Sequence, residues 1–167
     1  YNLLVCALSK YLKSISYDSI NLDSRSSKLF KDMSECVGVE VWTFNYTNLD
    51  KLCQKLNVEQ MRCNVSYVHG SLENHNIILG FHNNAEVDSS YSYMKKMENP
   101  SHQFSGYRTK LEEADNIIFF GHSLGETDKD YFQGWLNGLA DGSVKRNQNI
   151  INNYFRCYDW TSDSSCK

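Results

Sequence analysis

Three polar blocks in this chain each follow a strand-like apolar run. Asn45 follows Val39 to Phe44, His69-Gly70 follows a run ending at Val68, and Gly121-His122-Ser123 follows Asn116 to Phe120. An imidazole titrates near neutral pH, so His69 is a candidate general base. The Asn45 carboxamide can position a water or a substrate amide. Gly121, His122, Ser123 and Gly125 form a small-residue turn that lets backbone approach a phosphate or ribose, with Gly70 in a similar setting. Asp128 can accept from a sugar hydroxyl. If the three runs are parallel strands, these groups emerge at one edge of one sheet, where open α/β folds bind ligands.

Each residue also has a plainer reading. His69 can hydrogen-bond the turn at Gly70, Asn45 can satisfy its own backbone, and Asp128 can cap a helix. Gly121-His122-Ser123-Leu124-Gly125 matches the G-x-S-x-G nucleophile elbow of α/β hydrolases. That chemistry needs a histidine after the serine, and none of the 5 histidines follows Ser123. An esterase is therefore the weaker reading. His75, His82 and His102 lack partners at ligand spacing and read as surface residues. Lys95-Lys96 reads as a solvated helix face, with a phosphate contact as the alternative.

The elements that must position these groups follow from periodicity. Leu3, Leu4, Ala7, Leu8, Tyr11, Leu12 and Ile15 recur at helical spacing, and a second helical pattern surrounds Leu29, Phe30 and Met33. Strands are predicted over Val39 to Phe44, Arg62 to Val68, Asn76 to Gly80, Asn116 to Phe120 and Tyr154 to Trp160. A helix is predicted over Leu49 to Leu56. Further helical stretches lie around Tyr91 to Met97 and Phe104 to Glu113. Phe132, Trp135, Leu136 and Leu139 mark another, capped by Thr127 or Asp128. The unbroken apolar run Asn116 to Phe120 predicts a strand buried on both faces. Alternating strands and helices predict an α/β fold with a mainly parallel sheet flanked by helices. The expected organisation is one domain over 1–167, with a helical lead-in at 1–38, the sheet-containing core at 39–160 and a polar tail at 161–167.

At 167 residues, 41% hydrophobic and 13% aromatic, the chain can build a packed core. A net charge of -3, with 17 basic against 20 acidic residues, excludes a dedicated nucleic-acid binder with a basic face. No apolar run approaches the roughly 20 residues of a membrane helix, and Ser9, Lys10 and Lys13 interrupt the opening stretch. The 6 cysteines are irregularly spaced without a C-x-x-C pair, so no metal is expected. Cys6 and Cys63 read as small core residues, and a Cys157–Cys166 bridge is an open alternative. A reducing, cytoplasmic setting is expected.

The blocks Phe44-Asn45-Tyr46-Thr47-Asn48, Val68-His69-Gly70-Ser71, Ile77-Ile78-Leu79-Gly80-Phe81 and Gly121 to Gly125 with Asp128 and Tyr131-Phe132 together resemble the bacteriophage abortive-infection AbiH family. The resemblance runs from about residue 40 to about residue 135. That family is similar to the sirtuin-like Rossmann fold, which implies a pocket for NAD or a related nucleotide. The resemblance implies that His69 acts as base on a ribose hydroxyl and that Asn45 orients a water. It also implies that Gly121 and Ser123 meet the cofactor's ribose and phosphates, with His122 where sirtuins have threonine. The glycine-rich opening of such proteins, similar to Gly-Asn-Gly-Phe-Asp, has no counterpart before Asn45. The chain thus reads as an incomplete, later part of an AbiH-like protein. The implied activity, in the complete protein, is cleavage of the nicotinamide–ribose bond through an oxocarbenium-like transition state, in phage defence; this fragment, lacking the glycine-rich turn, is expected to bind dinucleotide poorly and to be inactive. The competing expectation is a non-catalytic sensor of a phage-derived trigger, or an assembly scaffold working as a homo-oligomer.

Overall fold

The computed structural model describes residues 1–122, 124–125, 127–144 and 149–153. The predicted strand over Tyr154 to Trp160, Ser123 and the Cys157–Cys166 pair lie outside them. The chain divides into two compact units, residues 1–80 with 88–104 and residues 81–87 with 105–167.

In the first unit, helix α1 (Asn2–Ser14) precedes α2 (Arg25–Glu35), which begins where the Ser24 hydroxyl accepts from the Ser27 N–H. Strand β1 (Glu40–Thr43) leads into α3 (Leu49–Leu56) and then β2 (Asn64–Tyr67). The Asn48 side chain caps α3 by accepting from the Lys51 N–H at 2.8 Å. Asn57, in the left-handed region at φ 55°, closes the helix with its N–H on the Cys53 and Gln54 carbonyls. Strands β1 and β2 are parallel, with Glu40 opposite Asn64 and Thr43 opposite Tyr67. The α3 crossover between them buries Leu52 and Leu56 beside Cys63, Val68, Leu72, Ile77, Ile78 and Phe104. The predicted helix over Tyr91 to Met97 appears as two 3-10 turns, Ser89–Met94 and Lys96–Glu98.

The second unit contains α4 (Tyr107–Glu113), β3 (Asn116–Phe120), a 3-10 turn (Lys129–Tyr131), α5 (Gln133–Asp141) and β4 (Asn149–Asn153). Strands β3 and β4 are parallel, Asn116 opposite Asn149. The unit's core is aromatic: Phe119 meets the Phe132 ring edge-on at 5.4 Å and lies 6.4 Å from Trp135. Tyr107 packs edge-on against the buried Tyr131 at 5.5 Å.

The class is α/β, but the structure corrects the expected single sheet. Among the described residues there are two parallel sheets of two strands each, β1 with β2 and β3 with β4. Asn76 to Gly80 forms no strand, although Ile77 and Ile78 are buried. Nor is β3 covered on both faces: Ile117 and Phe119 are buried while Ile118 is 56% exposed. Its inward residues therefore alternate, as in a strand with one open face. Cys63 is buried as expected, whereas Cys6 is exposed on α1. No residue of α1 is buried, and Leu3 and Tyr11 are 86% and 65% exposed.

Candidate functional site

The parallel register of β1 and β2 carries Asn45 and His69 to equivalent positions, each two residues beyond the paired Thr43 and Tyr67. The ladder runs one step past the strands, with the Val68 N–H donating to the Thr43 carbonyl at 3.0 Å. Asn45 is exposed, and its N–H donates to Thr43 Oγ1 at 3.2 Å. His69 is buried, 5% exposed, with the Phe44 ring edge-on at 5.5 Å between centroids. The strand ends thus present one accessible carboxamide and one desolvated imidazole.

The turn after His69 is closely built. Gly70 has φ +75°, and a Cβ there would sit 2.0 Å from the Asn76 carbonyl oxygen. Asn76 Oδ1 accepts from the Ser71 N–H at 2.9 Å, and the buried Ser71 hydroxyl accepts from the Asn74 N–H at 3.1 Å. The His69 carbonyl accepts from the Ile78 N–H at 2.9 Å. Tyr46 Oη donates to the Ile78 carbonyl at 2.6 Å, joining the turn to the segment after β1. Tyr67 Oη donates to the Thr47 carbonyl at 3.2 Å. Burial, opposed by a backbone hydrogen bond from Leu49 and reinforced by the nearby Glu73, Asp50 and Tyr17, pushes the Tyr67 phenol up to about 12. An open cleft of about 290 Å³ lies at the loops after β1 and β2, lined in part by Asn48, Lys51, Glu73 and His75, with Lys13 from α1. The Asn48 amide donates to the Glu73 carboxylate across it.

Lys96, outside the predicted site, reaches His69. Lys96 Nζ lies 3.4 Å from His69 Nε2. His102 is half-buried, and burial first, then the charge of His69, lowers its pKa below the usual histidine value. His102 is therefore not the surface residue expected. Lys95 and Lys96 also differ: Lys95 pairs with Glu98 at 3.6 Å, while Lys96 turns to the imidazole. A doublet of lysines carries no signal that separates the two. The separation arises from the change of direction between consecutive 3-10 turns.

In the second unit the Gly121–Asp128 loop has its own organisation. Gly121 and Leu124 occupy the left-handed region, at φ 62° and 52°. His122 Nδ1 accepts from the Leu124 N–H at 2.9 Å, which leaves the neutral ring's proton on Nε2. That nitrogen lies 3.6 Å from Asp128 Oδ2. The Gly125 carbonyl accepts from the Asp128 N–H at 3.1 Å. Neither predicted residue caps α5. That helix starts at Gln133 with Phe132 at its N-cap position, and Asp128 begins the 3-10 turn without a side-chain cap bond. The sequence readings of Asp128 as a cap or a sugar contact do not anticipate this imidazole–carboxylate pair. Phe132, edge-on to His122 at 5.4 Å, walls the pair from the core side.

Among the described residues no cluster of three or more His, Cys, Asp or Glu could hold a metal ion, and no helix is long and apolar enough to cross a membrane. No curated protein and no solved structure matches the chain. The family description "Bacteriophage abortive infection AbiH" does match, over residues 3–152. This span includes α1 and α2, ahead of the blocks that carry the resemblance in the sequence. It covers the strand ends holding Asn45 and His69 and the loop from Gly121 to Asp128, and the chain belongs to the bacteriophage abortive infection AbiH family.

Proposed function

We propose that this chain serves phage defence by binding a nucleotide-type ligand at the strand ends of β1 and β2, and that in the complete protein the reaction is hydrolysis of NAD at the nicotinamide–ribose bond. The observation that carries the reading is the parallel register, which sets exposed Asn45 and buried His69 at equivalent positions of one sheet edge. The donor set suits a ribose: an imidazole with an aromatic edge against it and a carboxamide open to solvent. His69 takes a proton from a ribose hydroxyl, and Asn45 orients the attacking water. The likeness to sirtuin-type Rossmann folds belongs to this reading, as does the assignment of Gly70 to backbone approach. Taken separately, and by resemblance alone, Gly121, His122, Ser123, Gly125 and Asp128 of the other unit are proposed to suit ribose or phosphate.

Nicotinamide release from NAD by the complete protein tests it, with a His69→Ala variant checked for folding by circular dichroism. Release by the wild type that falls at least 100-fold in the variant is expected, about the lower bound for losing a general base. Unchanged release in the variant removes His69 from the mechanism. Neither binding nor turnover of NAD by the wild type, with or without a phage lysate as trigger, removes the reading.

A second reading, an assembly scaffold that senses a phage component, is favoured by the apolar face of α1, where Leu3, Leu4 and Tyr11 are exposed. A second copy of the chain is the occupant this reading names. Light scattering tests it: a Leu4→Lys, Tyr11→Lys variant should be smaller than the wild type, and a monomeric wild type would exclude it.

A further inference from the structure

The proton chemistry assigned to His69 leaves Lys96 unused, yet its ammonium is 3.4 Å from the imidazole Nε2. An ammonium offers donors and no acceptor, so it faces the lone pair of Nε2 and leaves the neutral ring's proton on Nδ1. The tautomer required of a base acting through Nε2 is thereby selected. The same contact occupies the lone pair that the base must use.

Lys96 is held in place from both sides along the chain. Gly80 allows the Met94 carbonyl so close that a Cβ on Gly80 would lie 2.1 Å from its oxygen. Beyond Lys96, the buried Asn99 donates through Nδ2 to the Tyr93 carbonyl at 2.8 Å and to Tyr1 Oη at 2.9 Å. Tyr1 Oη also accepts from the Leu79 N–H at 3.2 Å, which ties this segment to the one packed behind His69. The main chain that carries Lys96 is thus fixed, which lowers the cost of presenting its side chain to a ligand. The ammonium and the buried His69 imidazole share a partly desolvated place, where an anion gains more than it would at an exposed lysine.

We propose that Lys96, beside His69, forms a phosphate subsite, and that a ligand's phosphate draws the ammonium off His69 Nε2 and so frees the base. This rests on the nucleotide reading above and adds to it a charged group that the ligand must carry. A neutral nucleoside would leave the Lys96–His69 contact intact.

The test is a nuclear magnetic resonance titration of the purified 167-residue chain at constant pH and ionic strength. It follows the His69 ring resonances with inorganic phosphate, ADP-ribose, adenosine and, as the reference, sodium chloride. Saturable shifts of His69 with phosphate and ADP-ribose, absent with adenosine and chloride, are expected. Lys96→Gln should weaken the phosphate response about tenfold or more, the scale of one lost charge-assisted bond. Lys96→Arg should retain most of it. Lys95→Gln removes the same charge one residue away, where Glu98 is the partner, and should change it less than twofold. The wild-type titration decides the proposal even if Lys96→Gln does not fold.

No His69 response to phosphate or ADP-ribose overturns the subsite, even if the wild type releases nicotinamide. Equal weakening by Lys95→Gln and Lys96→Gln also overturns it, since diffuse charge would then suffice. A Lys96-dependent response without nicotinamide release supports the subsite while the hydrolase reading falls.

Discussion

Gly70→Ala tests the construction of the His69 turn directly. At φ +75° an alanine is strained by its backbone alone, at about 1–2 kcal/mol. Its Cβ would also lie 2.0 Å from the Asn76 carbonyl oxygen and 2.6 Å from the carbonyl carbon. These are backbone atoms and cannot rotate aside, so Asn76 must move with its hydrogen bond to Ser71. Overpacking of this kind adds about 1–3 kcal/mol. Gly38→Ala is the internal reference, because Gly38 has φ +78° in the same unit and no atom within 4 Å of its Cβ position. The two variants share the conformational cost and differ in the steric one. Amide exchange at Val68, whose N–H is bonded to the Thr43 carbonyl at 3.0 Å, reads the difference. Protection should fall roughly 5- to 150-fold further in Gly70→Ala than in Gly38→Ala. Equal losses would refute the close approach of Asn76 and with it the account of how His69 is held.

Two further outcomes follow from the packing and the charges. The His102 ring should titrate below the ordinary histidine value of 6.5, since burial and the charge of His69 both disfavour its cation. The folded state then prefers the neutral ring, so its stability contribution is present above pH 6.5 and lost as pH falls through the lowered value. Histidine Cε1 proton shifts measure this, and His69→Gln should move the midpoint only part of the way back, because burial is the larger cause. In the second unit, Trp135→Ala removes a side chain only 1% exposed and should cost about 3–5 kcal/mol. Urea unfolding followed at the Phe119 and Phe132 ring resonances measures it, and a cost below about 1 kcal/mol would contradict the aromatic core.

Local signals were reliable where structure is decided locally. Leu49–Leu56 is a helix as predicted, because the Asn48 cap, the apolar spacing and the left-handed Asn57 all act within one segment. The β-branched and aromatic run ending at Phe44 and the run ending at Val68 likewise become β1 and β2, which sets Asn45 and His69 at strand ends. Asn76 to Gly80 has the composition of a strand but no ladder. The Ile78 N–H goes to the His69 carbonyl, and the Met94 carbonyl abuts Gly80. Propensity describes what a segment tolerates and cannot supply a neighbouring strand.

The residue types that could act on a ligand, and their attachment to strand ends, were determined by the sequence, because both depend on patterns a few residues long. Which strands pair was decided by tertiary structure: among the described residues two small sheets form instead of one, since pairing depends on distant partners. The same holds for the surroundings of His69. Lys96 is 27 positions away in the chain, and only folding of the 3-10 segment against Gly80 brings its ammonium to the imidazole. Side-chain chemistry is local to a residue, whereas the field that tunes it is set by whatever the fold packs alongside.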